Sequence, residues 1–140
     1  MIEVRDATQA DLDYVRNNPI DDRATKHFMD LQITGWAKTA VLGDKIMGVG
    51  GAVLYWPGFA EGWYLVSKDG GESKFLMVHC IKTVIELAIK ELNLHRFQST
   101  IRVDFTSAIK LIEHVGFVKE GLLRKYTQDK VDAYIYALVL

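Results

Sequence analysis

Cysteine and proline are nearly missing from this chain. One cysteine, Cys80, stands among 140 residues, so no internal disulfide exists and a disulfide-stapled scaffold is excluded. That one thiol and four scattered histidines offer no ligand set for structural zinc. Only Pro19 and Pro57 interrupt the backbone, with no repeat, low-complexity tract or linker-like stretch, so a single domain over residues 1–140 is expected. Charge of one sign is lacking too. Seventeen basic against eighteen acidic side chains leave a net charge of −1, which removes the electrostatic footprint of a nucleic-acid or membrane-surface binder. No stretch reaches the roughly 18–20 consecutive apolar residues of a membrane span. The opening Met1-Ile2-Glu3-Val4-Arg5-Asp6 has no apolar run behind a basic one, so no signal peptide is expected and a reducing cytoplasm is the expected location.

What the chain does have is apolar periodicity, with 49% hydrophobic and 25% charged residues, enough to bury a core. Ile2 to Arg5 alternates as a half-buried strand does. Thr8 is placed to cap a short helix beginning at Gln9. Ala24, Phe28, Leu31 and Ile33 suggest a second helix over 21–33. Lys38 to Leu42 and Ile46 to Tyr55 read as a hairpin about Gly43-Asp44-Lys45. Gly48, Gly50 and Gly51 inside its second strand are costly unless a bulge or another part of the chain lies close. Ala60 to Ser67 is a further strand, and Lys68-Asp69-Gly70-Gly71-Glu72-Ser73 a polar loop. From Ser73 to Leu92, Leu76, Ile81, Val84, Ile85, Ala88 and Leu92 recur at helical spacing. A strand over 96–103, a helix capped at Thr106 or Ser107 and stopped at Gly116, and strands over 117–126 and 133–140 complete the order β-α-α-β-β-β-α-β-α-β-β.

Two passages carry a family resemblance. One is Glu61-Gly62-Trp63-Tyr64-Leu65-Val66 with its glycine loop and long helix. The other is Ala108-Ile109-Lys110-Leu111-Ile112-Glu113-His114-Val115-Gly116-Phe117, continued by Glu120-Gly121-Leu122-Leu123-Arg124. Together they resemble the GCN5-related N-acetyltransferase (GNAT) superfamily, and the Glu-Gly-x-x-Arg continuation with Asp132-Ala133-Tyr134 is similar to its ribosomal-protein branch. The resemblance implies an α/β fold with a central twisted mixed sheet, helices on both faces, and acetyl-CoA as cosubstrate. Lys68-x-x-Gly71-x-Ser73 keeps the spacing of the family's coenzyme loop. A diphosphate there needs backbone N–H groups pointing inward, which a helix N-terminus leaves unpaired. Lys68, Gly70, Gly71, Ser73 and Lys74 are therefore the expected coenzyme grip, with backbone groups near Leu65 and Val66 pairing with the pantetheine arm.

Transfer to an amine needs a base, a polarised thioester and a proton for the leaving thiolate. Glu61, on the strand before the loop, is the base candidate. The family's tyrosine falls at Ile112 and its asparagine at Phe105, so Tyr126 and His114 stand as substitute proton donors. Trp36, Trp56 and Trp63 are candidate cleft walls, and Arg96 and Arg102 share one strand face as a polar-ligand candidate. Cys80 reads as core, and His27 and His95 have no companion at metal-ligand spacing. The implied activity is acetyl transfer to a protein or small-molecule amine. The alternatives are a non-catalytic module on the same scaffold, similar to GNAT-like proteins of tailed phages with a role in the virion or in host interaction, or an acyl-CoA sensor. The apolar strand 133–140 is the candidate for pairing across a homodimer.

Overall fold

The computed structural model describes residues 2–23 and 32–140. In chain order these form β1 (Ile2–Asp6), α1 (Gln9–Asn17), β2 (Trp36–Leu42), β3 (Lys45–Trp56), β4 (Phe59–Val66), α2 (Lys74–Glu91), β5 (Arg96–Arg102), α3 (Thr106–His114), β6 (Val118–Leu123) and β7 (Ala133–Val139). Most of the helix expected over 21–33, with His27, lies outside the described residues.

The strands build one seven-stranded sheet in the order β1-β2-β3-β4-β5-β7-β6. Neighbours are antiparallel except β4 and β5, which run parallel because α2 returns the chain between them. Helices cover both faces. On one, Leu12 and Val15 of α1 bury against Ala37, Val49, Trp63 and Leu65. On the other, Ala88 of α2 joins Ala52, Ala60, Phe97, Phe117 and Tyr136, with Ile109 and Ile112 of α3 packed on the cluster. Helix α1 begins at a reciprocal cap between Thr8 and Asp11. Asp11 also accepts from Arg5 and Thr39, which fastens the helix start to β1 and β2.

Two expectations are corrected. Strand β7 is interior, flanked by β5 and β6, so it cannot pair across a dimer; its apolar run follows from that burial. The free edge on that side is β6. Helix α3 starts without a side-chain cap, its N-cap being Phe105, so Thr106 and Ser107 lie inside the first turn.

Candidate active site

The defining feature is a fork. Strands β4 and β5 pair only at Phe59–Glu61 with Arg96–Gln98. Beyond that, β3 holds β4 as far as Val66 and β7 holds β5 as far as Arg102, so the two diverge. The last link is Ser99 Oγ donating to the Gly62 carbonyl at 2.9 Å. Antiparallel ladders turn alternate residues' peptide groups inward and outward. Ser67 N–H donates to Met47 on β3 at 3.0 Å, so Leu65 also turns its peptide groups to β3. Tyr64 and Val66 turn theirs into the gap. The Val66 carbonyl accepts from Ile20 N–H at 3.0 Å, which leaves the Tyr64 N–H and C=O and the Val66 N–H facing it. The open backbone edge thus belongs to Tyr64 and Val66, and Leu65 contributes a buried side chain.

A cavity of about 330 Å³ runs through this gap. Helix α2 walls it with Lys74, Met77, Ile81 and Val84, helix α3 with Ala108, Leu111 and Ile112, and the strands with Tyr64, Val66, Ser99 and Ile101. Apart from its mouth the lining is mostly apolar, which suits an uncharged arm in extended form. The Tyr64 ring lies across β3, and this explains the glycines there. A Cβ at Gly50 would stand 2.5 Å from the ring, and one at Gly48 2.6 Å from its hydroxyl. Burial pushes the Tyr64 phenol far above the usual tyrosine range.

The glycine loop is built differently from the expectation. Ser67, fully buried, donates its hydroxyl to the Ile46 carbonyl at 2.6 Å and accepts from Gly70 N–H at 3.0 Å. Gly71 N–H donates to the Ser67 carbonyl at 3.1 Å. Both glycine amides are therefore spent inside the loop. Gly70 is needed for close approach, since a Cβ would stand 1.9 Å from the Met47 carbonyl oxygen. At Gly71 a Cβ would meet Ile20 Cδ1 at 1.8 Å. Lys68 N–H donates to the Asn18 carbonyl at 2.8 Å, and Asp69 accepts from the Tyr14 hydroxyl at 3.1 Å. Ser73 caps α2 by accepting from Leu76 N–H at 3.3 Å. The Lys74 and Phe75 amides have no acceptor among the described residues, and they stand at the positive end of an 18-residue helix. Of the expected coenzyme set, Leu65, Val66, Gly71 and Lys74 reach the cavity wall, whereas Lys68, Gly70 and Ser73 shape the loop behind it.

Glu61 stands at the base of the fork, on the α1 face, and accepts from Gln98 Nε2 at 3.0 Å. Tyr126 is half exposed, and neither it nor Glu61 is among the residues that line the cavity. Burial raises the Tyr126 phenol, the Glu61 charge raises it further, and a hydrogen bond with Thr100 opposes both. Tyr55 is raised by burial and then by Glu61 and Tyr126. Sequence reasoning missed Gln98 and Thr100. Their signal was available, because they alternate with Arg96 and Arg102 on one strand face.

His114 is corrected. It is exposed in the last turn of α3 and does not line the cavity, where Ile112 occupies the wall. The two arginines are spent on internal bonds. Arg102, 4% exposed, pairs with Asp104 at 3.0 Å and Asp129 at 2.7 Å, and Arg96 pairs with Glu120 at 2.7 Å. Trp36 and Trp63 line the cavity, while Trp56 does not and stacks on Phe59 instead. Cys80 is buried, which pushes its thiol up. Segment 18–23 borders the cavity with Pro19, Ile20 and Asp21. It is fastened to β4 through Ile20 and to the β5–α3 loop through Arg23, which donates to the Asp104 carbonyl and lies over the Phe105 ring.

A sheet forked between two parallel strands, with a helix N-terminus at the fork's mouth, is the architecture of GNAT acetyltransferases, and solved structures bear this out. Spermidine N-acetyltransferase from Vibrio cholerae, in complex with CoA and spermine, superposes with a TM-score of 0.80 at 16% identity over 99% of this chain and 95% of that one. A GNAT-family acetyltransferase from Bacillus anthracis gives 0.74 at 18% over 99% and 94%. Ribosomal-protein-S5-alanine acetyltransferase from Vibrio fischeri gives 0.74 at 16% over 99% and 92%. The chain has the GNAT fold. No protein-family model matches it. Among curated proteins it is 34% identical over 62 residues, 42% of the chain, to the uncharacterized N-acetyltransferase p20 of Bacillus licheniformis. It is 31% identical over 64 residues, 46% of the chain, to the probable N-acetyltransferase YjcK of Bacillus subtilis. Those matches span 35% and 34% of the relatives' own length.

Proposed function

We propose that the protein is an acetyl-CoA-dependent N-acetyltransferase that acylates an amine. The observation that carries this reading is the fork itself, with the Tyr64 and Val66 peptide groups turned into an apolar cavity that reaches Lys74, where α2 begins with amides that lack acceptors among the described residues. A pantetheine arm needs hydrogen-bonding partners along an extended path, and a diphosphate needs unpaired N–H groups in a positive field. The cavity offers both. Lys74 adds charge at the mouth, and Val66 and Gly71 line the path.

Glu61 serves as the base through water, taking the ammonium proton so that the neutral nitrogen can attack the thioester carbonyl. A peptide N–H of the open β4 edge then stabilises the developing oxyanion. Tyr126, protonated at neutral pH, supplies the proton taken up by the leaving thiolate and is reprotonated through solvent as the nitrogen of the collapsing adduct sheds its second proton. This replaces the hydroxyl that Ile112 cannot provide. No helix among the described residues is long and apolar enough to cross a membrane, and the reading is of a cytoplasmic enzyme with acetyl-CoA and an amine as its partners. The superposed structures acylate acceptors as different as spermidine and a protein's alanine, so both acceptor types belong in the assay.

Titration with acetyl-CoA followed by thermal unfolding is expected to show saturable stabilisation of about 2.7 kcal/mol at a hundredfold excess over Kd. Thiol release with spermidine or an alanine-terminated peptide then separates an enzyme from a sensor. Glu61→Gln is expected to bind acetyl-CoA unchanged and to lose roughly 100-fold in turnover. Full turnover in that variant removes Glu61 from the mechanism, and absence of stabilisation removes the coenzyme.

A further inference from the structure

The Glu120-Gly121 pair carries a feature that acetyl transfer by itself does not explain. Glu120 sits on β6, the outermost strand, with β7 between it and β5. The β6–β7 register slips between Lys119 and Gly121, so Glu120 is the extra residue of a β-bulge. A bulge frees one residue from the ladder and re-aims its side chain. Here the carboxylate reaches across β7 to Arg96 on β5, with Nη2–Oε1 at 2.7 Å and Nη1–Oε2 at 3.2 Å. Ala137, which faces Gln98 on one side and Val118 on the other, keeps the intervening strand low.

Arg96 also donates to the Gln98 side-chain oxygen, from Nη2 at 3.0 Å and Nε at 3.2 Å. A guanidinium has only donors, whereas a carboxamide has a donor end and an acceptor end. Arg96 therefore fixes which way the Gln98 amide points. Its oxygen must face Arg96, so its NH₂ must face Glu61, to which it donates at 3.0 Å. Reversing that amide would set an oxygen against the Glu61 carboxylate and an NH₂ against a cation. Neither contact is favourable.

We propose that Glu120 and Arg96 are positioning residues that set the orientation of the Gln98 amide and, through it, the Glu61 carboxylate at the base of the fork. The inference rests on the reading of Glu61 as base. It assigns the bulge a purpose in the acceptor half of the site, 59 positions along the chain from the group it serves. Gln98 lines the cavity, whereas Glu61 does not, so the amide that Arg96 orients is the member of the series that borders the reacting space.

Two readouts test it, using the full chain. In ¹⁵N spectra the Gln98 NH₂ pair is expected to be protected from solvent exchange in the wild type and to lose that protection in Glu120→Ala, whose substituted side chain is partly exposed and outside the core. In thiol-release assays with acetyl-CoA and spermidine, or an alanine-terminated peptide, Glu120→Ala is expected to lower kcat about tenfold with KM for acetyl-CoA unchanged. Gln98→Leu should lower it further, and adding Glu120→Ala to Glu61→Gln should change nothing more. Arg96→Lys, which keeps the charge but loses the fork, should fall between wild type and Glu120→Ala. Retained protection of the Gln98 amide in Glu120→Ala overturns the proposal, as does unchanged kcat in that variant beside an impaired Glu61→Gln. An unimpaired Glu61→Gln instead strikes the base assignment, while the exchange measurement still decides whether the series holds Gln98.

Discussion

The two glycines of the 67–73 loop and the two amides that follow it perform opposite tasks. Gly70 and Gly71 turn their N–H groups inward onto Ser67 and owe their lack of a side chain to Met47 and Ile20. Lys74 and Phe75, ordinary helix residues, present the unpaired N–H groups. A glycine motif before a helix is readily taken as an anion grip, yet both glycine amides here are bonded within the loop. Under the proposed function the grip falls to helix geometry, which leaves first-turn amides without acceptors whatever their side chains.

Gly70→Ala should break that comparison most severely. Its Cβ has backbone, not a flexible side chain, in its way, so a loss of about 3 kcal/mol or more is expected from thermal or urea unfolding. A stability near wild type would show that the loop can back away from β3. Gly71→Ala should cost less, about 1–2 kcal/mol, because Ile20 can shift. In an Ile20→Ala background most of that cost should vanish, a coupling that a double-mutant cycle measures directly. Lys74→Glu should leave stability almost unchanged and weaken acetyl-CoA binding about tenfold by calorimetry, since it reverses charge at the helix's positive end. Equal binding would move the diphosphate elsewhere.

The smallest effect concerns pH. Thr127 and Arg102 hold the Asp129 carboxyl at about 2, below its usual 3.8. A depressed carboxyl stabilises the fold above its unfolded value and loses that contribution as pH falls through the folded one. The melting temperature should therefore decline between about pH 4 and pH 2, and Asp129→Asn should flatten part of that decline.

Most of the element order was legible because apolar periodicity reports directly which side of an element is buried. The strand 45–56 was legible too, though its glycines stayed puzzling. Their partners, Tyr64 and Trp63, are close only across the ladder. Of the proposed site, Glu61 and the helix start at Lys74 were visible from spacing and resemblance. Gln98 was passed over, because a glutamine between two arginines reads as solvated surface until the β-bulge at Glu120 brings a carboxylate over β7. His114 was attractive as a histidine near the family's tyrosine position, but its place in the last helical turn turns it to solvent.

By itself the sequence determined the alternation of strands and helices, the capped start of α1, the loop before α2 and the presence of a carboxylate on β4. These are local properties, set by periodicity and by the few side chains that can cap or turn a backbone. Only the tertiary structure decided which amides around the loop remain open, which strand is the edge, and that three residues from two strands line up behind Glu61. Those outcomes depend on register and on the crossing of β7, and no short stretch of chain contains either.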